Sequence, residues 1–118
     1  AKFIIGSSLG GFLGFYLAED LGLPCLLFNP AVSHQSIESN RPQLKNLNCP
    51  ARYVVLGAQD QVLDPVENLS FIRKKDREGL EQKIMVCSWL EHSIDFDTFE
   101  EMVRWAALNV KRLKKKQK

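Results

Sequence analysis

No stretch of this 118-residue chain could cross a bilayer as a helix. The longest apolar run, Leu23 to Phe28, is interrupted by Pro24 and falls far short of the roughly 20 residues that a span needs. The amino terminus lacks a basic region followed by an apolar one and a cleavage site, so no secretory leader is expected. Cysteine is scarce, and Cys25, Cys49 and Cys87 are an odd number without C-x-x-C spacing. That pattern argues against a disulfide framework or a metal site and predicts buried free thiols in a reducing cytoplasm. Histidine is scarcer still, with only His34 and His92. No internal repeat is present, no low-complexity segment precedes the basic end, and no basic patch is interleaved with aromatics. The chain is therefore expected to bind neither nucleic acid nor a membrane surface.

What remains is ordinary for one globular domain, with 45% hydrophobic and 25% charged residues. The net charge of +2 is concentrated in Lys111-Arg112-Leu113-Lys114-Lys115-Lys116-Gln117-Lys118. We read residues 1–110 as a single domain and residues 111–118 as a basic tail, a solvated helix end whose cations suit the negative end of the helix dipole.

The most informative stretch is the opening, Phe3-Ile4-Ile5-Gly6-Ser7-Ser8-Leu9-Gly10-Gly11, an apolar run that ends in G-x-S-x-G and continues into a helical pattern. A serine hydroxyl is a poor nucleophile unless it is lifted out of the fold to where a base and a carbonyl can reach it. A sharp turn between a buried strand and a helix achieves this, and the flanking glycines leave room for it. Ser8 is the candidate nucleophile, and the backbone N–H of Leu9 is the candidate oxyanion donor. The same turn could instead be a structural bend or a phosphate cradle. The latter is the weaker reading, because the P-loop lysine and the second half of a dinucleotide fingerprint are both missing.

Along the chain, strand is predicted at residues 1–5, helix from Leu9 to Leu21, strand at Cys25 to Phe28, and strand at Tyr53 to Leu56. Helix follows from about Pro65 to Lys75, then strand at Lys83 to Ser88 and helix from Phe96 to Leu113. In the first helix Leu9, Phe12, Leu13, Tyr16 and Leu17 recur at helical spacing, Gly10, Gly11 and Gly14 would let it lie close to a sheet, and Gly22 suits a left-handed cap. The polar segment from Val32 to Pro50, which holds His34, fits a short helix or part of a lid. This alternation predicts an α/β fold, a parallel sheet of about four strands with helices on both faces.

Ser8, Asp60 and His92 each follow a predicted strand, so a parallel sheet would gather them at its carboxyl edge. Their order, Ser, Asp, His, is the one α/β-hydrolases use. His92 would take the Ser8 proton, and Asp60 would fix the tautomer of His92. Each residue also has a plainer reading: His92 as a surface-loop residue, and Asp60 as a helix cap. Asp64, just before Pro65, competes for both roles of Asp60.

Four blocks, taken in order, resemble the carboxyl-terminal part of an α/β-hydrolase, and most closely the small bacterial YqiA-like predicted esterases. They are Gly6-Ser7-Ser8-Leu9-Gly10-Gly11 with Tyr16-Leu17-Ala18-Glu19, Leu27-Phe28-Asn29-Pro30-Ala31-Val32, Leu56 to Asp64, and Glu91-His92-Ser93 with Phe96. The resemblance implies a Ser8–Asp60–His92 triad that hydrolyses a small-molecule ester or thioester without a cofactor. It also implies that the elbow strand has neighbours on its amino-terminal side, together with a loop giving a second oxyanion donor, and this chain lacks both. The expectation is an amino-terminally truncated hydrolase fold that either pairs with a second copy through its first strand or associates there with a missing segment. A non-catalytic dimerisation or interaction module is the alternative.

Overall fold

A computed structural model describes residues 2–33 and 46–116. Four strands, β1 (Ile4–Ser7), β2 (Cys25–Phe28), β3 (Ala51–Gly57) and β4 (Glu81–Cys87), form one sheet in the order β1-β2-β3-β4. Every pairing is parallel, with Ser7, Phe28 and Val55 in one register row and Val55 opposite Met85 in the next ladder. Among the described residues three helices, α1 (Leu9–Leu21), α2 (Pro65–Lys74) and α3 (Phe96–Lys116), pack on this sheet.

The continuous apolar runs of β2 and β3 have a simple cause. Both strands are buried along their whole length, because helices cover both faces of the sheet. On one face Phe12, Phe15 and Ala18 of α1 and Ile72 of α2 pack on Leu27, Val54 and Leu56. On the other, Met102, Ala106 and Val110 of α3 pack on Leu26, Phe28, Tyr53 and Val55. Alternate residues of β3 thus feed alternate cores, as the period of two requires.

Several boundaries differ from the sequence reading. β1 runs from Ile4 to Ser7 because its ladder is set by β2, whose four residues pair with these four. β4 begins at Glu81 because it matches all seven residues of β3, and α3 continues past Leu113 to Lys116. In α1 only part of the expected apolar stripe faces the core, where Phe12 is buried and Tyr16 packs against it. Leu9, Leu13 and Leu17 are about half exposed, while Gly11, Gly14, Phe15 and Ala18 face inward. A side chain at Gly14 would press on Leu27 and Ile4, so the helix rests on the sheet through its small residues. Gly22 caps α1 in the left-handed region (φ 67°), donating to the carbonyl of Ala18. The expected helix or lid within Val32 to Pro50, and with it His34, falls mainly outside the described residues.

All three cysteines are buried and unbridged. Burial raises the Cys87 thiol pKa, and Cys25 is raised by its contact with Cys49, 4.0 Å away, and by burial. No described helix is long and apolar enough to cross a membrane.

At the amino-terminal end of the sheet sits a charge cluster that the sequence reading missed. Arg52, fully buried in β3, donates from Nη1 to Glu19 Oε2 (3.2 Å), from Nε to Gln82 (2.7 Å) and from Nη2 to the Lys75 carbonyl (2.8 Å). Arg77 grips both oxygens of Glu19 at 2.6 and 2.7 Å, and the Cys49 N–H also donates to Glu19 at 2.7 Å. Phe15 lies under the Arg52 guanidinium, 4.3 Å from ring centroid to carbon. One carboxylate thereby joins α1, β3 and the segments that precede β3 and β4. Removing one partner of a buried pair leaves an uncompensated charge, so Glu19→Ala should cost about 3–5 kcal/mol. Arg77→Ala, which removes a partly exposed guanidinium, should cost clearly less. Urea denaturation followed by circular dichroism measures both.

Candidate active site

β1 delivers the chain to a turn that an ordinary backbone does not adopt. Ser8 has φ 56° and ψ −117°, a sparsely populated conformation for a residue with a side chain. The surrounding hydrogen bonds hold it there. The Ser8 N–H donates to the Phe28 carbonyl (3.0 Å), and its own carbonyl accepts from Phe12 N–H (3.1 Å) and Ala31 N–H (2.9 Å). Gly6 is required by proximity, since a Cβ there would lie 2.3 Å from the Gly10 carbonyl oxygen. The result is a strand–turn–helix elbow with Ser8 at its tip and the first-turn N–H groups of α1, Leu9 first, without intrahelical acceptors.

The loops after β3 and β4 arrive at the same edge. Asp60, with a side chain only 1% exposed, accepts at Oδ1 from the N–H groups of Val62 (2.8 Å) and Leu63 (2.9 Å). Those bonds turn Oδ2 toward His92 Nδ1, 2.9 Å away. His92 Nε2 lies 2.9 Å from Ser8 Oγ. With Nδ1 protonated against the carboxylate, Nε2 is the acceptor that faces the hydroxyl. The three side chains so form one hydrogen-bonded chain.

Asp64 stands apart from this chain. Its side chain accepts from Val66 N–H (2.9 Å) as the cap of α2, with Pro65 in the first turn. The loop carrying His92 is closed by Asp95, which accepts from Thr98 N–H at the start of α3 (3.0 Å). Bonds from the Thr98 hydroxyl and N–H hold the exposed Asp95 carboxyl below its ordinary range. A cleft of 580 Å3, lined by Ile5, Gly6, Ser7, Phe28, Ser93, Ile94 and Phe99, opens beside the elbow and the His92 loop. Its walls are mainly apolar. Among the described residues no cluster of three or more His, Cys, Asp or Glu side chains could hold a metal ion.

The sequence reading missed Asn29 and Asn68. Asn68 donates to the Pro30 carbonyl (2.9 Å) and accepts from the Ser33 hydroxyl (2.6 Å), bracing the segment that supports the elbow. A helical asparagine facing the core was the available signal. Gly6→Ala should lower stability by about 1–3 kcal/mol through backbone overpacking, read as a shift in the urea midpoint, and should separate Ser8 from His92.

Residues 1–50 match the model of an uncharacterised protein family, UPF0227, and no curated protein matches the chain. Among solved structures the chain is similar to esterase PE8, with a TM-score of 0.66 and 14% identity over 87% of this chain and 47% of that one. It is also similar to two point variants of SOBER1 from Arabidopsis thaliana. For one the TM-score is 0.64 with 19% identity over 92% of this chain and 53% of that one. For the other it is 0.60 with 20% identity over 92% and 52%. The chain therefore spans about half the length of the structures it matches. The four parallel strands and three helices of the described residues have the architecture of part of an α/β-hydrolase fold.

Proposed function

We propose that this chain is the triad-bearing part of a serine carboxylic ester hydrolase acting on a small acyl ester or thioester. The observation that carries the reading is the unbroken hydrogen-bonded chain from Ser8 through His92 to Asp60, with 2.9 Å at each link. His92 Nε2 accepts the Ser8 proton as Oγ attacks the carbonyl carbon. The imidazolium is stabilised by Asp60, whose two backbone hydrogen bonds fix its orientation. Negative charge on the carbonyl oxygen is met by the Leu9 N–H at the positive end of α1. The imidazolium then protonates the leaving alcohol or thiol. Water, deprotonated by His92, releases the acid and restores Ser8. The mainly apolar cleft beside Ser8 suits an uncharged acyl or alkyl group.

A fluorophosphonate probe tests this, because it forms a covalent bond only with an activated serine. One adduct at Ser8 is expected, lost in Ser8→Ala. Asp60→Asn should slow labelling by about 10⁴-fold, the scale on which an orienting carboxylate acts. Asp64→Ala should leave the labelling rate unchanged and cost about 1 kcal/mol of stability as a lost helix cap. An unlabelled wild-type chain that is folded would overturn the proposal.

A second reading rests on a different observation. Among the described residues β1 pairs on one side only, and Ile5 within it is 43% exposed. An apolar groove of 440 Å3 between β1 and α3, lined by Phe3, Ile5, Leu26, Val103, Ala107 and Val110, runs alongside this open edge. An apolar strand edge is a template for pairing, so the 118-residue chain should dimerise through β1. Light scattering at micromolar concentration should give twice the monomer mass, and Ile5→Lys should return the monomer. A wild-type monomer would dispose of this reading.

A further inference from the structure

The geometry points to Asn29 as the positioning residue for His92, an inference that rests on reading Ser8, His92 and Asp60 as a hydrolytic triad. Asn29 follows the last residue of β2 and is buried, 1% exposed. Its N–H extends the ladder by donating to the Val55 carbonyl (2.9 Å). The backbone then enters the left-handed region, with φ 41°, which asparagine tolerates better than most residues. This bend directs the side chain across the end of β3 toward the loop after β4.

There every polar atom of the amide is used. Oδ1 accepts from Gly57 N–H at 2.7 Å, and Nδ2 donates to the carbonyls of Glu91 (2.9 Å) and His92 (3.0 Å). The reversed amide would set its oxygen against two carbonyls and its nitrogen against an N–H, so these partners fix the orientation. Gly57 belongs to the same arrangement, because a Cβ there would lie 2.3 Å from the Leu90 carbonyl oxygen and 2.8 Å from that of Glu91. The His92 loop thus lies tight against the end of β3, clamped by one side chain.

The same short segment reaches the other two triad members. Phe28 and Ala31 flank Asn29 and hold Ser8 through its N–H and its carbonyl. Gly57, which donates to Asn29, lies three residues before Asp60 and accepts from the Asp60 N–H (3.2 Å). Asn29 touches no reacting atom. It acts by fixing the His92 backbone, so that Nε2 meets Ser8 while Nδ1 meets Asp60. Misplacement of a catalytic group by about 1 Å can cost 10²-fold in rate.

Asn29→Asp and Asn29→Gly both tolerate the positive φ and remove the two donors, and Asp keeps an acceptor for Gly57. In the 118-residue chain, two readouts separate positioning from mere stabilisation. One is the rate of fluorophosphonate labelling at Ser8. The other is the low-field NMR resonance of the His92 Nδ1 proton, assigned with His92→Gln. Both variants should label about 10- to 100-fold more slowly and should lose or shift that resonance while still unfolding cooperatively. Variants that melt earlier but keep the wild-type labelling rate and the wild-type resonance would reduce Asn29 to a structural residue and overturn the inference. If the wild type itself takes no label, the hydrolase reading fails. The resonance comparison still decides whether Asn29 holds His92, an unchanged resonance overturning that hold as well.

Discussion

The parallel register of the sheet is the constraint on which everything else in this molecule depends. Because β1 and β2 end on one row, with Ser7 and Phe28 beside Val55, and β3 and β4 end together two residues further on, with Gly57 opposite Cys87, the chain leaves four strands at one edge. Residues as distant in sequence as Ser8 and His92 can then lie within hydrogen-bond reach. A slip of one residue in any ladder would turn that strand's side chains to the opposite face. The two cores on β3, with Tyr53 and Val55 on one side and Val54 and Leu56 on the other, therefore protect the register and the site together.

The two ends of the sheet have different duties. At the amino-terminal end, Glu19, Arg52 and Arg77 join helix, strand and connecting segments through charges whose partners are all supplied. At the carboxyl end, the backbone is held in conformations that cost energy locally, with positive φ at Ser8 and Asn29. Strain of this kind persists only where surrounding bonds over-determine it. Here those bonds come from Phe28, Ala31, Val55 and Gly57. The segment after β2, a plain strand terminator in the sequence, is the keystone of that edge.

Among the described residues β1 pairs on one side only. β1 is the strand that carries the elbow, yet it is less covered than β2 or β3. The groove of Phe3, Ile5 and the apolar side of α3 continues toward the cleft beside Ser8, with Ile5 shared by both.

Much of this was legible from local pattern. G-x-S-x-G between an apolar run and a helical one marks an elbow because the turn itself demands small residues. The run Cys25 to Phe28 reads as a central strand because only a strand covered on both faces can be apolar throughout. The alternation of elements fixes a parallel sheet, and with it the common edge of Ser8, Asp60 and His92. The rest needed the tertiary structure. Local sequence favoured Asp60, directly off a strand end, and kept Asp64 as its rival, while the turn formed by Val62 and Leu63 shows which carboxylate faces His92. The close approach of α1 through Gly11 and Gly14 was legible, whereas the exposure of Leu9, Leu13 and Leu17 was not, because leucine spacing does not reveal how the helix is rolled on the sheet. Arg52 within an apolar strand and Asn29 at the end of another gain their roles from partners 23 to 62 residues away, and periodicity carries no record of contacts made at that distance.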